Sequence, residues 1–134
     1  MTQVVFDTNL LINLLSGKFK LPESFRKYDR ILIPAIVIGE YQAGIFDTRQ
    51  GRENAAKLVE YLGRLTVDAV PVTTRTAEMY ALIFQTLRAQ GHPIPQNDMW
   101  IAASALENGA DLATTDGHFH FIPMLTVIVP GADT

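Results

Sequence analysis

Apolar runs, their spacing and the breakers between them divide this chain into alternating strands and helices. Val4-Val5-Phe6 is a continuous apolar run cut by Asp7 and reads as a buried strand. Leu10, Leu11 and Leu14 then recur at helical spacing until Ser16-Gly17 closes the helix. Residues 18–30 read as a loop with a short helix. Ile31-Leu32-Ile33 is a second buried strand stopped by Pro34, and that proline opens a helix with Ile36, Val37, Ala43 and Phe46 apolar. In residues 49–65, Ala55, Leu58, Val59 and Leu62 share one face while Arg52, Lys57, Glu60 and Arg64 lie elsewhere, which predicts an amphipathic helix. A third strand is expected over 67–72. Thr73 or Thr74 can cap a helix that Gly91 ends. His92-Pro93-Ile94-Pro95 is a rigid connector to a helix over 97–106, stopped at Asn108-Gly109. Strands over 112–114 and 125–129 close the pattern, with a turn at Asp116-Gly117 and a tail, 131–134, expected to fray.

Strands alternating with helices favour a three-layer α/β domain, a mostly parallel sheet of four to five strands flanked by helices. The 134 residues fit a single domain, 1–134, and 48% hydrophobic residues suffice for a core without disulfides. There are no cysteines, which excludes disulfide scaffolds, thiolate zinc sites and cysteine nucleophiles. The opening MTQVVFDTN lacks a basic leader, and no run approaches the roughly 18 apolar residues of a membrane span. A cytoplasmic location is the default expectation, with no membrane partner. The net charge of −3 argues against gripping nucleic acid by phosphate neutralisation alone. A nucleic-acid substrate would need local positive charge or a bound cation.

Four acids stand out. Asp7 and Asp116 directly follow strands, where an open parallel sheet binds its ligands. Taken singly, Asp7 and Asp98 also fit helix caps and Asp116-Gly117 a plain turn. Helical spacing adds weight to the functional reading. Asp7 shares a face with Leu10, Leu11 and Leu14, Asp98 with Ile101, Ala102 and Ala105, and Glu40 with Ile36, Val37, Ala43 and Gly44. An unpaired buried carboxylate costs several kcal/mol and takes up either a proton or a cation. No lysine or arginine interrupts these faces, so a divalent ion is the natural partner, and Mg2+ or Mn2+ suits an all-oxygen site. Thr114, Thr115 and Asn9 are candidates for holding the ligands by hydrogen bonds.

These same residues carry a family resemblance. VVFDTNLLINLL, IPAIVIGEY, PIPQNDMWIAASALENGADLATTDGHF and the closing strand resemble PIN domains of the VapC toxin type, in the family's order over nearly the whole chain. The resemblance implies a metal-dependent ribonuclease whose catalytic acids are Asp7, Glu40, Asp98 and Asp116. It implies Mg2+ or Mn2+ held chiefly by Asp7, Asp98 and Asp116, with Glu40 completing the pocket and Asn9 and Thr115 as auxiliary polar residues. A homodimer and a VapB-like antitoxin are the implied partners, and RNA the implied substrate.

Other residues weigh less. Lys18, Lys20, Arg26, Lys27 and Arg30, interleaved with Phe19, Phe25 and Tyr28, either guide RNA, hold an antitoxin helix or form a solvated surface. His118 and His120 lack metalloprotease spacing, and His118 reads as a turn residue near the site. Met99 and Trp100 suit core packing or a dimer contact. Other functions remain open at this point. A PIN fold without activity would serve as a binding module. A phosphatase of the haloacid-dehalogenase type needs a second acid where Asn9 stands, and a receiver domain needs a late lysine, whereas none follows Lys57. The nuclease reading predicts that Asp7→Asn or Asp98→Asn keeps the fold, seen by circular dichroism, and removes RNA cleavage in a gel assay.

Overall fold

In a computed structural model, which describes residues 2–46 and 48–130, the apolar runs lie side by side. The strands are β1 (Gln3–Phe6), β2 (Arg30–Pro34), β3 (Val67–Val70), β4 (Asp111–Ala113) and β5 (Val127–Ile128). All four pairings are parallel, in the order β3-β2-β1-β4-β5. Parallel neighbours need crossovers, and helices α1 (Thr8–Leu15), α2 (Ala35–Ile45), α3 (Gly51–Leu62), α4 (Thr74–Gln90) and α5 (Gln96–Glu107) supply all but that from β4 to β5, which carries only a 3-10 turn. Short 3-10 turns occupy Glu23–Lys27 and Gly117–Phe121. The three-layer α/β expectation holds, with five strands. The tail expected to fray, 131–134, lies outside the described residues.

The central strand explains its own composition. Val4, Val5 and Phe6 on β1 and Leu112 and Ala113 on β4 are fully buried, as strands covered on both faces require. Helix α5 is buried nearly all round, through Met99 and the run Ile101–Ala105, because it lies against both the sheet and α4. Its small residues let those neighbours approach. Thr73 caps α4 through a reciprocal pair with Thr76, and Gly91 ends it at φ +70°, a left-handed geometry that suits glycine. Glu107 at the end of α5 accepts hydrogen bonds from both Thr73 and Thr76, joining the far end of α5 to the start of α4.

Several local expectations need correction. The amphipathic helix runs only over Gly51–Leu62. Its buried residues are Leu58 and Tyr61, whereas Val59 is 72% exposed, because the packed stripe follows the Leu58–Tyr61 spacing. The third and last strands are shorter than expected, at Val67–Val70 and Val127–Ile128. The 18–30 stretch is not uniformly solvated. Phe25 is buried edge-on against Phe6 and Tyr28, the Tyr28 hydroxyl donates to Asp111, and Arg30 pairs with Asp68, while Lys18, Lys20, Arg26 and Lys27 stay exposed. Trp100 stacks on Tyr80 with ring centres 4.2 Å apart.

The packing predicts unequal costs for two truncations. Leu112→Ala, at a fully buried position of β4, is expected to lose about 2–5 kcal/mol of unfolding free energy in urea. Val59→Ser, at an exposed position of α3, should stay within about 0.5 kcal/mol of the parent.

Candidate metal centre

The chain runs from β1 outward to β2 and β3, then returns to the other side of β1 for β4 and β5. The order reverses between β1 and β4, and a crevice opens at the carboxyl ends of strands at such a reversal. Phe6 pairs with Ala113, and the Asp7 amide donates to the Ala113 carbonyl. The residues that leave these two strands therefore start out adjacent.

Asp7 serves as cap and as pocket residue at once. Its backbone is extended, at φ −80° and ψ 174°, and it caps α1. One carboxylate oxygen accepts from the Leu10 amide at 3.0 Å and the other from the Thr114 hydroxyl. The residue is 4% exposed. Thr114, fully buried, also accepts from the Asp116 amide at 2.8 Å through its hydroxyl oxygen, so one side chain ties both acids together. Asp116 caps the 3-10 turn by accepting from the His118 amide at 2.9 Å, which leaves its other oxygen, Oδ2, pointing elsewhere. Asp98 sits in the first turn of α5, where the helix dipole favours negative charge.

Glu40 departs from expectation. The buried residues of α2 are Val37 and Tyr41, and Ala43 and Gly44 are exposed, so Glu40 flanks the packed stripe rather than lying in it. It is half-buried and is held from two sides, by the Thr8 hydroxyl at 2.6 Å and the Asn97 amide at 3.2 Å. Asn9 and Thr115 are exposed and make no hydrogen bond to the four acids among the described residues. Thr8, Asn97 and Thr114 hold them instead. Thr8 and Asn97 were missed in the sequence, although each directly follows or precedes an acid, Asp7 and Asp98.

Electrostatics show that the acids sense one another. Burial pushes the Asp7 carboxyl above its ordinary value of 3.8, opposed by the Thr114 and Leu10 bonds and reinforced by the charges of Asp98 and Asp116. Burial likewise raises Asp98; His118 opposes the shift, and Asp116 and Glu40 add to it. Residues from four separate parts of the chain thus share one field.

The tightest group of possible ligands among the described residues is Asp98, Asp116 and His118, each offering an atom within 4.8 Å of the others. His118 Nδ1 lies 3.2 Å from Asp116 Oδ2 and 3.6 Å from Asp98 Oδ2. Asp7, more deeply buried, is not part of this group, and both of its oxygens already accept hydrogen bonds. Two carboxylates and an imidazole are oxygen and nitrogen donors of the kind that hold a divalent cation. The histidine lies in a turn near the site, as expected, within the 3-10 turn that Asp116 caps. The Asp-Gly-His order is the sequence signal for its placement, since a turn at Gly117 folds position 118 back toward Asp116.

Comparisons with known proteins agree with this architecture. The PIN domain family matches residues 4–123. Ribonuclease VapC1 of Haemophilus influenzae (strain R2866) is 30% identical over 114 residues, 82% of this chain and 84% of the relative. Ribonuclease VapC4 of Mycobacterium tuberculosis is 27% identical over 122 residues, 91% of this chain and 92% of the relative. The solved structure of VapBC-1 from nontypeable H. influenzae is similar at a TM-score of 0.78 and 25% identity, covering 95% of this chain and 97% of the other.

A pH dependence follows from the raised Asp7 carboxyl. The folded state holds that proton more tightly than the unfolded chain does, so the contribution to stability is full below pH 3.8 and is lost as pH rises through the folded value. In metal-free buffer, Asp7→Asn should therefore melt above the parent at pH 7, and the difference should shrink toward pH 3.8, as read by thermal melts across that range.

Proposed function

The chain belongs to the PIN-domain family, in its VapC ribonuclease branch, and on that premise we propose that it is a metal-dependent endoribonuclease, the toxin of a type II toxin–antitoxin pair. The observation that carries the reading is geometric: Asp98 and Asp116 offer oxygens within 4.8 Å of each other, Thr114 ties Asp7 to Asp116, and Thr8 and Asn97, the neighbours of Asp7 and Asp98, hold Glu40 at the β1–β4 reversal. Four carboxylates so placed repel a phosphate unless a cation offsets them. Mg2+ or Mn2+ held by the acids would supply that charge and make water a better nucleophile at neutral pH.

The chain's own residues do the positioning. Thr114 fixes Asp7 against the start of α1 and, through the Asp116 amide, sets the turn that carries Asp116. Thr8 and Asn97 hold both oxygens of Glu40 at the rim, where a carboxylate can orient the attacking water or accept its proton. Hydrolysis forms a bond from the water oxygen to phosphorus and breaks the bond to the departing ribose oxygen, which takes up a proton. The exposed Lys18, Lys20, Arg26 and Lys27 supply local positive charge on a chain of net charge −3.

A VapB-like antitoxin is the proposed partner, by analogy with VapBC-1. No described helix is long and apolar enough to cross a membrane, and action on cellular RNA places the proposed site of work in the cytoplasm.

Incubation of the purified chain with total RNA, with Mg2+ or with chelator, tests the reading. Cleavage should appear with Mg2+, vanish with chelator and fall by more than about 100-fold in Asp98→Asn and Asp116→Asn, since even outer partners of a bound metal are worth 10–100-fold. Mapped cut ends would identify the RNA. Cleavage at the parent rate in either variant would overturn the assignment, and metal-induced stabilisation without any cleavage would favour a binding module.

A further inference from the structure

We propose that His118 is a direct nitrogen donor to the divalent ion, so that the centre holds Mn2+ more tightly than Mg2+. The inference rests on the metal-dependent reading above and adds a ligand to the acids considered there. Its basis is the position of the imidazole. His118 Nδ1 stands 3.2 Å from Asp116 Oδ2 and 3.6 Å from Asp98 Oδ2. Donors that share a cation at about 2.1 Å, at angles between octahedral and tetrahedral, lie roughly 3.0–3.4 Å apart. Small adjustments of the half-exposed imidazole bring it within that range.

The free atoms point the same way. Asp116 Oδ1 is taken by the His118 amide, which leaves Oδ2 as the oxygen that faces the ring. No lysine or arginine pairs with Asp98 or Asp116 among the described residues, and the imidazole is the one nitrogen group paired with them there. Asp7, by contrast, spends one oxygen on the Leu10 amide and the other on the Thr114 hydroxyl. Imidazole is a better ligand for first-row transition ions than for Mg2+, which prefers oxygen donors and keeps its water. A single histidine among carboxylates therefore biases the ion without excluding Mg2+.

Electron paramagnetic resonance of Mn2+ bound to the full chain reads this directly, alongside calorimetric titrations with Mn2+ and with Mg2+. The parent should show nitrogen coupling from one imidazole. His118→Gln should lose that coupling and bind Mn2+ about tenfold more weakly, with Mg2+ binding changed by less than about twofold. Asp98→Asn should weaken both ions. A parent without nitrogen coupling, or a His118→Gln variant that binds Mn2+ as the parent does, overturns the inference and leaves the cation reading standing if Asp98→Asn still weakens both ions. A parent that binds neither ion overturns both.

Discussion

The site depends on keeping one carboxylate, that of Asp7, almost entirely out of water. Burial is costly for a charge, and the structure offsets the cost from two directions. The first turn of α1 offers the Leu10 amide, and the end of β4 offers the Thr114 hydroxyl. The first donor is local to the chain, but the second is within reach only because β1 lies beside β4 in the observed register, with Phe6 opposite Ala113. The same Thr114 oxygen receives the Asp116 amide, so the position of a second acid follows from the first. A fold-level fact, the parallel pairing at the centre of the sheet, thereby becomes an atomic arrangement at its edge.

The other acids are less constrained, and each in a different way. Asp98 rides in the first turn of a helix buried nearly all round, so its backbone is packed while its carboxylate is part exposed. Glu40 stands on the flank of α2 and depends on hydrogen bonds from Thr8 and Asn97 for its direction. Burial thus grades from the sheet, where Asp7 is almost wholly covered, to the rim, where the other three acids are partly exposed. That grading suits a centre where the inner side must hold its shape and the outer side must admit a polyanion.

Much of this was legible in the sequence because the relevant signals are strong and local. Continuous apolar runs marked β1 and β2, Thr73 and Gly91 marked both ends of α4, and an acid directly after β1 and another three residues past β4 marked the edge of the sheet. What stayed hidden depends on contacts between distant segments. The face shared by Glu40, Ala43 and Gly44 looked inward by spacing, but tertiary packing chose the Val37–Tyr41 stripe. Asn9 and Thr115 sit beside acids in the chain yet point to solvent, while Thr8, Asn97 and Thr114 bridge them. Spacing alone does not distinguish these neighbours, since each choice turns on a side-chain direction. Phe25 and Tyr28 looked like part of a basic surface because nothing local announces that Phe6 and Asp111 wait to receive them.

The bond between Thr114 and Asp7 spans 107 residues. During synthesis from the N-terminus, the first acid leaves the ribosome long before its hydroxyl partner is made. Until then β1 lacks β4 beside it, and the crevice between them has only one wall. A growing chain of this kind cannot bring Asp7 and Asp116 onto their shared threonine until the segment through β4 and Asp116 has been made.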